Sequence, residues 1–125
     1  MMNSNLVTIL ADLENKLADE QIHSFKIGVT HSIEERKMHY HGYSLIEIAS
    51  GSKVLVLQAE RDLINHFLAS SIAQKCENTL NAAGTGQVND VSVVYVAIKV
   101  KDVDKDNNVH YVPVHFNDYN VNLNN

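Results

Sequence analysis

Two side chains in this sequence could do chemistry together, Arg36 and Glu60. Arg36 stands eight residues past Gly28, behind the stretch Ser24-Phe25-Lys26-Ile27-Gly28-Val29-Thr30. Glu60 follows Ala59 in the middle of an apolar, helix-periodic segment. A guanidinium grips a phosphate at two points and stabilises charge on a pentacovalent phosphorus. A carboxylate among apolar side chains is costly unless it is paired or binds a cation. Its oxygens suit a hard ion such as Mg²⁺ or Mn²⁺, which keeps several waters. Offered by two neighbouring helices over a small sheet, the pair is the minimum kit for metal-assisted phosphodiester hydrolysis. The plainer alternatives are an ion pair between the two, or Glu60 paired with another basic neighbour.

The elements that must position them follow from periodicity. Residues 4–20 read as a helix, with Leu6, Ile9, Leu10, Leu13 and Leu17 at three- and four-residue steps and Ser4 or Asn5 as cap. Residues 22–30 read as a strand. Ser32-Ile33-Glu34-Glu35 is a capping box opening a short helix to His39 or Tyr40, on which Arg36 shares a face with Ile33 and Tyr40. Residues 44–50 read as a second strand. A long helix from Lys53 to Gln74 then carries Val56, Leu57, Glu60, Leu63, Ile64, Phe67 and Leu68 on one stripe. Residues 78–90 form a glycine-containing loop whose Gly84-Thr85-Gly86 backbone could approach a phosphate, although an ordinary turn fits as well. A β-hairpin follows, with strands 91–101 and 109–116, and Pro113 marks the second as an edge. The asparagine-rich stretch 117–125 reads as a flexible tail. The expected fold is therefore α/β (α+β). It has a small, mostly antiparallel central sheet flanked by helices, a C-terminal hairpin, and one domain over residues 1–116.

Bulk properties bound the function. A chain of 125 residues holds one domain. No apolar run spans a bilayer, and the polar amino terminus lacks a signal layout, so no membrane partner and an intracellular location are expected. The single cysteine, Cys76, excludes an internal disulfide and multi-cysteine zinc sites. The net charge of −5 runs against broad nucleic-acid binding, which uses a basic footprint. Lys26, Lys37 and Arg61, with Arg36, supply a local one.

The aromatic-Lys-Ile-Gly strand, the arginine after it and the glutamate of the second helix resemble the GIY-YIG nuclease superfamily. The resemblance is to its branch with lysine before Ile-Gly, and covers about residues 22–81. It implies a compact endonuclease domain of a kind common in phages and mobile elements. On that pattern Glu60 holds a single Mg²⁺ or Mn²⁺ ion, Arg36 binds the scissile phosphate, and Asn78 or Asn81 supplies the site asparagine. Two departures stand out. Phe25 occupies the place of the family's tyrosine, so a hydroxyl or imidazole must come from Tyr40, Tyr43, His31 or His39. The opening strand with its Gly-Ile-Tyr motif is also missing. Val93-Val94-Tyr95-Val96-Ala97-Ile98 would replace it in a permuted sheet with Tyr95 in the catalytic role; otherwise Tyr95 simply shares a strand face with Val93 and Ala97.

The same departures and the acidic balance fit a second class, a non-catalytic binding module for a nucleotide, a nucleic-acid end or a protein. Val94, Val96, Ile98 and Val100 on one face of the hairpin would then serve a homodimer. Two other motifs reduce to surface features. Asp102-Val103-Asp104-Lys105-Asp106-Asn107 lacks the glycine and the closing glutamate of a calcium loop and reads as a polar turn. His39-Tyr40-His41 lacks helical zinc-ligand spacing.

Overall fold

Strand alternation and helix stripes combine into a four-stranded sheet in the order β1-β3-β2-β4. The computed structural model describes residues 2–79, 90–101 and 116–124. The strands are β1 (Ile22–Thr30), β2 (Ser44–Ser50), β3 (Val93–Val100) and β4 (Val121–Asn122). β3 pairs antiparallel with both β1 and β2, and β4 joins β2 in parallel. With helices α1 (Ser4–Leu17), α2 (Ile33–Lys37) and α3 (Lys53–Leu68), the architecture is α+β.

One face of the sheet carries the main core. Phe25 and Ile27 of β1, Ile46 and Ile48 of β2, and Val94, Val96 and Ile98 of β3 pack with Leu6, Leu13 and Leu17 of α1 and Val56, Leu63, Ile64 and Phe67 of α3. Fully burying each such side chain is worth about 1.5–3 kcal/mol, which is why the periodicity of both helices is legible. Among the described residues, the other face carries a small cluster of Leu45, Tyr95 and Ala97, with Ile33, Tyr40 and Tyr43 against it.

Helix ends differ from the expected ones for identifiable reasons. Asn3, not Ser4 or Asn5, caps α1, its Oδ1 accepting from the amides of Asn5 at 2.9 Å and Leu6 at 3.4 Å. That helix stops at Leu17, where Lys75 Nζ donates to the carbonyls of Leu17 (3.1 Å) and Asp19 (2.9 Å). The expected Ser32 cap forms, accepting from Glu35 N at 3.3 Å. Helix α3 ends at Leu68 rather than Gln74. Ser70 Oγ donates to Phe67 O at 2.7 Å, and a 3₁₀ turn over Ala73–Lys75 follows.

Three further details differ from expectation. Strand β3 is an interior strand of the sheet, paired with both β1 and β2, and residues 109–115 of the expected second hairpin arm lie outside the described residues. The face of Val94, Val96, Ile98 and Val100 is buried against the chain's own helices, so it is not open to a dimer partner. Residues 117–124 are not frayed. Val121 and Leu123 are buried, Tyr119 Oη donates to Asp12 at 2.8 Å, and Asn3 Nδ2 donates to Leu123 O at 3.0 Å. No helix among the described residues is long and apolar enough to cross a membrane.

Candidate functional site

The site is built on the face of Leu45, Tyr95 and Ala97. Register fixes its rows: Ser24 faces Lys99, Lys26 faces Ala97, and Gly28 faces Tyr95 across β1 and β3, while Glu47 of β2 flanks Tyr95 on the other side. Directly opposed residues of antiparallel strands share a face, so Lys26, Lys99, Tyr95 and Glu47 project to the same side. Gly28 makes room there. A Cβ at that position would collide with the Tyr95 hydroxyl and lie 2.5 Å from its Cζ.

Arg36 reaches this face from α2. Its Nε donates to Tyr95 Oη at 3.0 Å, and Tyr95 Oη in turn donates to Tyr40 Oη at 3.3 Å. The guanidinium lies 5.6 Å from the Tyr40 ring centroid, within cation–π range. Ile33, Arg36 and Tyr40, spaced over about two turns, thus land on the sheet together. No carboxylate forms an ion pair with Arg36 among the described residues. The hydrogen bond to Tyr95 is the main reason its pKa rises, and the guanidinium stays charged.

A second cluster continues the patch. Tyr43 stands edge-on to Tyr40, with centroids 5.4 Å apart, and donates to Glu77 at 2.9 Å; Ser24 Oγ donates to the same carboxylate at 2.6 Å. Lys99 Nζ lies 6.0 Å from the Tyr43 ring centroid. Burial raises the Tyr95 hydroxyl well above the ordinary phenol range, ahead of the Tyr40 hydrogen bond and against the pull of Arg36. Burial, then Glu77, likewise raises Tyr43. Both phenols therefore stay protonated at neutral pH and serve as donors rather than bases. Glu47 is also raised, by burial and by the nearby charge of Asp118.

The remaining sequence candidates go elsewhere. Helix α3 packs on the opposite face, where Phe67 meets Phe25 edge-on at 5.2 Å. The helices carrying Arg36 and Glu60 therefore lie on two sides of the sheet rather than side by side over one cleft, and no ion pair joins the two residues. Glu60 is 9% exposed. Phe25, in the position of the missing tyrosine, is fully buried in that same core, so it faces away from Arg36. Asn78 is spent on the backbone: its Oδ1 accepts from Ile27 N at 2.8 Å and its Nδ2 donates to Ile27 O at 2.9 Å. Arg61 is exposed on α3, and Lys37 is exposed with Glu34 at 3.9 Å. Asn81 and the Gly84–Gly86 loop lie outside the described residues.

Sequence reading missed Lys99, Glu77 and Glu47. Lys99 shares strand parity with Tyr95 and could have been found from it. Glu77 and Glu47 join the patch through strand pairing and loop placement, for which there is no local signal.

A Mg²⁺ site is usually built from one or two carboxylates, waters and a substrate phosphate. Glu60 offers one carboxylate, and among the described residues no three His, Cys, Asp or Glu side chains converge. The fold and the face together define a small α+β domain with an arginine set on tyrosines. No protein-family model, characterised protein or solved structure matches the chain.

Proposed function

We propose that this chain is a binding module for a phosphate-bearing ligand of the nucleotide or nucleic-acid class, with Arg36 as the anion-binding residue. The observation that carries this reading is the guanidinium held in place by Tyr95 and Tyr40, with no carboxylate among the described residues in an ion pair with it. Its Nε is used by the protein, and its two terminal nitrogens have no described protein partner, which leaves a fork suited to phosphate oxygens. Lys26 and Lys99 add charge on the same face, whereas Lys37 and Arg61 are peripheral. The test is fluorescence anisotropy with a labelled oligonucleotide. Arg36→Ala removes charge-assisted hydrogen bonds and weakens binding by about 10- to 100-fold, and Arg36→Lys recovers only part of it. Equal affinity for the native chain and Arg36→Ala would sink the proposal.

A second reading is retained because Tyr40 and Tyr95 meet at the arginine, as the nuclease resemblance asks of its hydroxyl groups. In that reading the domain hydrolyses phosphodiesters, and Glu60 would hold Mg²⁺ or Mn²⁺. The placement of α3 on the other face favours binding over cutting. Cleavage of DNA or RNA in Mg²⁺ or Mn²⁺ that vanishes in well-folded Glu60→Ala and Arg36→Ala variants would reverse that preference.

A further inference from the structure

We infer that the ligand is single-stranded nucleic acid laid along β3, from Arg36 to Lys99. The inference rests on Arg36 as the phosphate-binding residue and adds the strand's path and strandedness. Four residues of β3 separate Tyr95, under Arg36, from Lys99, a distance of about 13 Å at the rise of an extended strand. That is more than a single phosphate occupies, so filling both ends takes more than one phosphate group. Between them lies Lys26 on β1, opposite Ala97, which is fully buried in the cluster with Tyr40 and Tyr43, so the path crosses those side chains rather than the bare sheet. Arg36, Lys26 and Lys99 have no carboxylate ion partner among the described residues, so this line of cations is complementary to a phosphate chain.

The aromatic groups decide strandedness. Tyr43 is half-buried at the Lys99 end, its hydroxyl anchored to Glu77 and its ring position fixed by Tyr40. Lys99 stands at the outer limit of cation–π distance from that ring, so an unpaired base can take the ring face while the ammonium turns to a phosphate. Bases within a duplex are already stacked and offer no such face. Helix α2 has five residues and is too short to act as a groove-reading helix. Glu77, bonded to Tyr43 and Ser24 at the Lys99 end, and Glu47, opposite Tyr95, lie within the patch and repel phosphates toward the cations. The acidic net charge also disfavours the broader contact that a duplex backbone needs.

The experiment is anisotropy titration of the full chain with a short labelled single strand, the same sequence as a duplex, and a labelled mononucleotide, over a salt series. Three cations on a single strand give a log–log salt slope of about −2, and Lys26→Ala and Lys99→Ala each flatten it by about 0.7. Tyr43→Leu weakens single-strand binding by about 5- to 100-fold, while Tyr43→Phe, which keeps the ring but loses its anchor to Glu77, weakens it less. Lys99 is exposed, so its variant tests the path without touching the core. Duplex or mononucleotide binding as tight as single-strand binding would overturn the inference, as would a slope unchanged in both lysine variants. If Arg36→Ala still weakens binding in those cases, the phosphate-binding reading survives; indifference to Arg36→Ala overturns both.

Discussion

At the scale of single residues, Arg36 is positioned by what Gly28 lacks. Its partner Tyr95 is only 1% exposed because its ring lies over the bare backbone of β1 at Gly28. A methyl group there meets the ring atoms, not the end of a flexible chain, so the ring or the strand must move. Gly28→Ala is expected to cost about 1–3 kcal/mol of stability, as overpacking does. It should also lower oligonucleotide affinity in the still-folded protein by shifting the Tyr95 hydroxyl away from Arg36. Urea denaturation and anisotropy on the same sample check both effects; a stable variant with native affinity would mean that Tyr95 does not set the arginine. This also explains why Gly28 reads as a motif residue although it has no side chain to do chemistry.

At the scale of elements, both borders of the sheet are closed by asparagine side chains. On β1, Asn78 pairs with both polar groups of Ile27, and Glu77 N donates to Phe25 O at 2.8 Å, so residues 76–78 stand in for a further strand. On β4, Asn5 Nδ2 donates to Asn122 O at 2.9 Å and Asn3 Nδ2 to Leu123 O at 3.0 Å. Unpaired edges template association with other chains, and an amide is a compact cap because it donates and accepts at once. Asn78→Ala strands the Ile27 N–H and C=O in a buried setting and is expected to cost about 2–4 kcal/mol. Ligand affinity per folded molecule should stay unchanged. Loss of binding without loss of stability would instead restore Asn78 to the functional site.

At the scale of the whole molecule, the two ends of the described chain hold each other. The C-terminal segment lays β4 beside β2, buries Leu123 to 2% exposure and meets the start of α1 through Asn3. Leu123→Ala is expected to lower stability by about 2–5 kcal/mol, the range for a large-to-small change in a packed core. A chemical-denaturation midpoint equal to that of the native chain would show the segment to be detached in solution. The sequence by itself determined the local elements: the β1 and β2 bounds, the Ser32 cap, the stripes of α1 and α3, and the shared face of Ile33, Arg36 and Tyr40. These depend on neighbours within a few residues, where side-chain period and capping chemistry act directly. Only the tertiary structure decided that β3 is central, that Tyr95 meets Arg36 and Gly28, and that α3 takes Glu60 to the other layer. Those outcomes follow from which strands pair and which face each helix covers, and the free energy behind them is the burial of apolar area shared among distant segments. An asparagine-rich stretch looks solvated when read alone; it docks here because Val121 and Leu123 find a surface that no local pattern reveals.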